Sequence, residues 1–320
     1  MIRALLLAGV ALAAPPSVAF HVQAGKGAGV PAVDAATVWV SNTKEGTISR
    51  VDVRGGRVAA RIKLGAPTLA GGFLDSAVVA GGSVWVARDE AGEIDRIDPA
   101  ANRVVARIKV DPRPGGLIAT GQPSRLSGCA CGYVWAFHFL GPHVTRIDQS
   151  TGAKRIFRIA DVAGSGIVYA DGAVWVLSTH PLALVKLDPA TGRVAGRVAI
   201  PLSANLKHGI IDAWWVAAGA GSLWVAQANY DRVVRVDAAT AKVTRLIPVP
   251  VAAPFGIAFY RGAAWVGGSG KVARIDPATN RATRPLTLAA GSSPVFTQLA
   301  AGPSGLWATD YDRGTLYRLR

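Results

Sequence analysis

One motif runs seven times through the 320-residue chain, and it leaves few folds open. Each copy holds an apolar segment with a single tryptophan, a short polar loop, a segment ending Arg-Ile-Asp or a close variant, a tight turn and a second arginine-bearing apolar segment. The seven tryptophans are Trp39, Trp85, Trp135, Trp175, Trp224, Trp265 and Trp307, between 40 and 50 residues apart. Strand-like units of this length cannot bury both faces alone. They do so by packing face to face around an axis, and the spacing predicts an all-β, seven-bladed β-propeller with four-stranded antiparallel blades. Residues 20–320 are expected to form this single domain.

The second copy shows how a blade is written. Ser83–Ala87 is a strand, Asp89–Gly92 a loop, Glu93–Asp98 the next strand and Arg103–Val110 the outermost one. Asp98-Pro99-Ala100-Ala101-Asn102 is the turn between the last two. Aspartate at a turn entry accepts hydrogen bonds from the backbone just ahead, and proline presets the next φ. The same aspartate recurs as Asp52, Asp148, Asp188, Asp237 and Asp276, which makes it a turn former rather than a catalytic acid. The tryptophans are expected to bury against the neighbouring blade. The seventh copy stops before its outermost strand, and Phe20–Ala24 is apolar and β-prone, so the N-terminal segment is expected to supply that strand and close the ring.

The first nineteen residues read as a secretory signal. Arg3 is the basic region, Ala4–Ala14 the apolar region, and Ser17-Val18-Ala19 offers small residues for cleavage before Phe20. The apolar stretch is shorter than the roughly 20 residues that span a bilayer. The expectation is a periplasmic or secreted monomer with no membrane span.

The formal net charge of +15 raises the question of nucleic-acid or other anionic-polymer binding. Nineteen of the 35 basic residues fall into three columns that recur once per blade. The first holds Arg50, Arg96, Arg146, Lys186, Arg235, Arg274 and Arg318; Arg57 and Arg61 begin the other two. Such columns make rings around a disc rather than one patch. A solvated rim, with some Arg–Asp pairing inside each hairpin, is the expectation, and nucleic acid is not the favoured partner.

Trp39-Val40-Ser41-Asn42 followed by Gly46-Thr47-Ile48-Ser49-Arg50-Val51-Asp52 resembles the YVTN-type propeller repeat, as does Asp188-Pro189-Ala190-Thr191-Gly192-Arg193-Val194. The resemblance covers essentially all of residues 20–320 and extends to virginiamycin B lyase-like and quinoprotein-type exported propellers. For the lyases it implies a histidine and glutamate constellation with magnesium on the late blades. Here Gly256–Arg320 contains neither histidine nor glutamate. Lactonase-type propellers imply calcium held on channel-facing strands, whereas Phe255-Gly256-Ile257-Ala258-Phe259 is apolar.

Irregular loops on one face of the disc are where a site is sought. Two inter-blade loops are long, Asp111–Gly128 and Pro201–Asp212, and four of the five histidines lie nearby: His138, His143, His180 and His208. Imidazole is a common metal ligand, and His138, His143 and His208 are the candidate set for a divalent metal ion, with surface histidines as the alternative. Cys129 and Cys131, the only cysteines, are expected to form a small-loop disulfide in an oxidising compartment, with a Cys/His metal site or a reduced pair as alternatives. Asp89 with Glu90, Asn229 with Asp231, and Asp310 with Asp312 are acidic or amide loop groups without full calcium-loop spacing. Tyr230 and Tyr311 sit at equivalent places and are candidates to flank a ligand. Trp214 and Trp215 break the repeat on the inner strand of blade five, one expected to pack and the other to face the channel. These features favour a binding protein for a small molecule, peptide or protein on the loop face. A metal-dependent lyase or hydrolase is the alternative, and no cofactor beyond a divalent ion is indicated.

Overall fold

A computed structural model describes residues 16–68, 75–111, 113–120, 132–202, 212–288 and 296–320. Cys129, Cys131 and His208 lie outside the described residues. The strands form seven antiparallel sheets, each ordered from an inner to an outer strand. Inner strands touch in chain order, and that of blade seven (Thr297–Gly302) meets that of blade one (Ala32–Val33), so the ring is closed. Blade two matches its reading closely: Ala77–Ala80, Ser83–Arg88, Glu93–Asp98 and Arg103–Lys109.

The N-terminal segment closes blade seven. Val18–Gln23 runs antiparallel to Thr315–Leu319, with His21 opposite Tyr317 and Gln23 opposite Thr315. Blade six departs from the pattern. Its outer strand is broken into Arg281–Ala282 and Leu286–Thr287 around Pro285, which has no N–H to give a ladder.

Each repeat tryptophan is a core residue: six are at most 1% exposed, and Trp265 is 7% exposed. Trp85 packs with Leu117, Val134 and Ile147 of the next blade. Its indole N–H reaches the carbonyl of Ala80 at 3.1 Å, and Trp175, Trp224 and Trp265 bond in the same way to the residue five places earlier. The large ring is thereby buried with its one polar group satisfied.

The first basic column is not a solvated rim paired to hairpin aspartates. Each of its residues is the direct cross-strand partner of the blade's tryptophan, as with Arg50 opposite Trp39 and Arg235 opposite Trp224. In six blades the cation lies over that indole, 4.8 to 5.6 Å from the ring centre. Three of them also strap blades together. Arg50 donates to Pro99 O and Asn102 Oδ1 in the turn of blade two, Arg146 to Pro189 O and Ala190 O in blade four, and Arg235 to Pro277 O and Asn280 Oδ1 in blade six. The turn aspartates are otherwise occupied. Asp98 accepts from the N–H groups of Ala100 and Ala101, and Asp148 takes Ser150 and Thr151 through both backbone and hydroxyl. The Ser150 hydroxyl, then the Thr151 N–H, hold the Asp148 carboxyl down at about 2.

Candidate functional site

The face that carries the inter-blade loops also carries the loops after the tryptophan strands. Beneath it runs a ladder of aromatic rings crossing blades three, five, six and seven. Phe139 stacks on Trp214 at 5.7 Å with the planes 12° apart. Trp214 meets Phe255 at 5.3 Å, Phe255 meets Phe296 at 4.9 Å, and Phe296 meets Tyr311 edge-on at 6.4 Å. A cation caps each end: Arg113 lies 4.7 Å from the Phe139 ring centre and Lys44 4.7 Å from that of Tyr311. Backbone bonds from Phe139 N to Arg113 O (2.8 Å) and from Phe255 N to Gly267 O (2.7 Å) hold the ladder to the frame.

Trp214 and Trp215 lie where the inner strand of blade five bulges, between Ala213 opposite Gln227 and Val216 opposite Val225, and both rings reach blade three, Trp214 at Phe139 and Trp215 at Phe137. Trp214 is a rung of the ladder and 7% exposed. Trp215 is partly buried and reaches across blade four to Phe137 of blade three, 6.4 Å away and edge-on. Its indole N–H has no hydrogen-bond partner among the described residues. Gly116 makes this crossing possible, because a Cβ there would lie 2.7 Å from Phe137 and 2.9 Å from Trp215.

The ladder ends beside a group of acids. Asp75, at the head of the inner strand of blade two, accepts the Asp89 N–H at Oδ1 (3.0 Å), while its carbonyl takes the Ser41 hydroxyl (3.0 Å). Burial raises the Asp75 carboxyl from 3.8 to about 7, against the lowering effect of that hydrogen bond. Asp89 is raised too, by burial first, although the Arg113 guanidinium at 3.3 Å pulls the other way. The Tyr311 hydroxyl, 3.3 Å from Thr43 Oγ1, is pushed up by burial and then by the charges of Asp75, Asp312 and Glu90. Asp75, Asp89, Glu90, Arg113, Lys44 and Tyr311 therefore form one polar corner at the inner end of the loop face. Asp75 can hold or release a proton near neutrality, which the turn carboxyl of Asp148, held down at about 2, cannot do.

The histidines are placed differently. His138 and His143 of blade three approach edge-on at 6.2 Å. His138 Nε2 lies 2.8 Å from Thr145 Oγ1, and His143 Nδ1 lies 2.8 Å from Asp111 Oδ2. His180 sits in the blade-four loop, its Nδ1 3.2 Å from Thr179 Oγ1. Tyr230, in the blade-five loop, lies under the Arg232 guanidinium at 4.5 Å rather than joining the ladder. Of the acidic loop groups, Asp310 Oδ1 accepts the Asp312 and Arg313 N–H groups, Asp231 accepts the Ala253 N–H, and Asn229 donates to Asp212. Among the described residues no three or more histidine, cysteine, aspartate or glutamate side chains converge to hold a metal ion. The magnesium site that the lyase resemblance implies finds no donor set among the described residues.

No family model matches the chain, and no curated protein does. Solved structures do match. Virginiamycin B lyase from Staphylococcus aureus superposes with a TM-score of 0.74 over 95% of this chain and 99% of that one, at 18% identity. The fold is that of the virginiamycin B lyases. A streptogramin B lyase matches with a TM-score of 0.68 at 16% identity, over 93% of this chain and 94% of that one. Hydrazine synthase from Kuenenia stuttgartiensis matches with a TM-score of 0.70 at 14% identity, over 91% and 94%. At these identities the likeness fixes the architecture and leaves the site to be argued from its own residues. No helix among the described residues is long and apolar enough to cross a membrane.

Asp75 escapes sequence reading because it lies in the inter-blade loop, the part of the repeat whose length varies and which therefore has no register. Phe296 escapes for the same reason, and Phe139 because it lies in the loop after the tryptophan strand of blade three, which the repeat does not constrain either. The doubled Trp214-Trp215, the Tyr311 position and the loop acids Asp89 and Glu90 did give a signal.

Proposed function

We propose that the protein is an exported binding protein that takes a small polar molecule or a peptide on its loop face, at the corner formed by Asp75, Asp89, Glu90, Arg113, Lys44 and Tyr311. The observation that carries this reading is the buried Asp75 carboxyl, raised to about 7 in a corner where both signs of charge meet a rigid aromatic floor. A ligand donor that replaces the missing hydration of such a carboxyl gains a hydrogen bond in a site already desolvated. Paired acid and base side chains favour a ligand with both donor and acceptor groups. The basic columns do not favour nucleic acid, since their first ring is engaged with tryptophans and turns.

The test is a thermal-shift screen of small metabolites and short peptides on the wild type, Asp75→Asn and Tyr311→Phe. Ligands that stabilise the wild type and lose at least about tenfold in affinity in either variant support the corner; a ligand at a hundred times its Kd adds about 2.7 kcal/mol. Ligands that stabilise all three proteins alike place the site elsewhere.

A second reading, a lyase or hydrolase with Asp75 as general base, rests on the same carboxyl and its neighbour Tyr311. Virginiamycin B is the first substrate to offer, given the fold likeness. Its conversion to a new product, followed by chromatography with tandem mass spectrometry and abolished in Asp75→Asn, would establish the enzyme; an unconverted substrate with both proteins would remove this reading.

A further inference from the structure

The opposite face of the disc, where the hairpin turns lie, is regular except at one place. Blade seven takes its outer strand from the other end of the chain, so no hairpin turn joins Thr315–Leu319 to Val18–Gln23. In blades two, four and six that turn supplies oxygens to which Arg50, Arg146 and Arg235 bind from the preceding blade, whereas Arg96 and Lys186 bond within their own blades. Blade six precedes blade seven, and its column residue is Arg274, cross-strand partner of Trp265. Arg274 has no side-chain hydrogen bond, ion pair or ring contact among the described residues. Trp265 lacks the cation that covers the other six repeat tryptophans, and it is the most exposed of the seven.

A cavity of about 920 Å³ occupies the place of the missing turn. It is lined by Arg54, Arg261, Arg274, Arg318 and Arg320, with no aspartate or glutamate side chain, and by the aromatic rings of Tyr260 and Trp265. Arg318 is spent on Ser304 O at 2.9 Å and Arg261 lies over Tyr260 at 5.3 Å. The side chains of Arg54 and Arg320, like that of Arg274, have no bonded partner among the described residues. A guanidinium presents its N–H donors as a flat fork that fits two oxygens of one oxyanion, and several forks around one cavity reinforce each other's field.

We propose that this seam is a binding site for a small molecule bearing a multiply charged oxyanion, a phosphate or polycarboxylate group, whose oxygens take the part of the absent turn carbonyls on Arg274. The site is separate from the loop-face corner and does not depend on it. The size of the cavity lies within the range of small-molecule sites, and the exposed edge of Trp265 offers an apolar wall to the rest of the ligand.

Isothermal titration of the full-length chain in low salt, with sodium pyrophosphate and with citrate as probes, tests this. The expected result is saturable one-to-one binding of at least one probe, quenching of tryptophan fluorescence, and at least a tenfold loss of affinity in Arg274→Ala. Arg245→Ala, on the outer edge of blade five, should bind within about twofold of wild type. Because Arg274 has no partner to lose, its variant should fold with an unchanged Tm, so loss of binding is not confused with loss of structure. The probe that binds more tightly names the ligand as phosphate or carboxylate. No binding of either probe to the wild type, equal binding to Arg274→Ala, or equal weakening by Arg245→Ala would overturn the site, the last by showing only the general attraction of a basic protein.

Discussion

A repeat tryptophan meets three demands at one position. Its ring fills the gap between blades, its N–H satisfies a carbonyl of the adjacent inner turn, and its outer face carries a cation. Truncating Trp85 to alanine removes all three and should cost about 3–5 kcal/mol, read as a lower urea midpoint, whereas phenylalanine should recover most of the packing. Asp75 behaves in the opposite sense, since burial makes it a liability when charged. Its native carboxyl stays protonated up to about 7, while in the unfolded chain it ionises near 3.8. Between those values the native state holds a proton that the unfolded chain has released, so this group's effect lowers stability as pH rises from about 4 to 7 and is level above. Asp89 and Asp95 are raised too and add to the slope, so the comparison must be made with Asp75→Asn. Relative to that variant, wild-type stability should fall through this window in urea titrations; a difference independent of pH would contradict the burial of Asp75.

At the scale of strands and hairpins Arg50, Arg146 and Arg235 act as straps from one blade to the next turn. Arg235→Ala should lose three hydrogen bonds, one to Ser222 and two to the turn of blade six, and the ring contact with Trp224, a destabilisation of about 1–3 kcal/mol. Arg274→Ala, the same change one blade later, should stay within about 0.5 kcal/mol of wild type, because there is no turn to hold. Differential scanning of the pair checks the contrast. The blades were legible because each uses the same punctuation: a tryptophan, an Arg-Ile-Asp, an aspartate turn. The straps were not, since the column residue points to its own tryptophan in register and to another blade in space, and only the second relation shows what it binds. The ladder was barely legible for a related reason: Phe139, Trp214, Phe255, Phe296 and Tyr311 stand far apart in sequence, at strand ends that the repeat does not constrain.

For the whole molecule, closure rests on the pairing of Val18–Gln23 with Thr315–Leu319. A chain lacking residues 1–23 should retain six complete blades but leave an unpaired edge on the seventh, with Tm lowered by about 5 °C or more and self-association in size-exclusion chromatography. The strand begins at Val18, two residues before the expected cleavage point, so cleavage before Phe20 would leave the rungs from Phe20 to Gln23 to hold the ring. The two ends of the described chain meet as neighbours: Ser17 N lies 3.2 Å from Arg320 O, and Arg320 N lies 2.9 Å from Ser17 O. A ring whose ends touch has no privileged starting point. A bridge of about four residues between Arg320 and Ser17, with new ends cut in the hairpin of any other blade, would give a circularly permuted chain of the same shape. Written with the Asp-Pro-Ala-Thr-Asn grammar of blade six, that bridge would also hand Arg274 the turn it lacks, so that rewiring the chain would close the arginine-lined cavity.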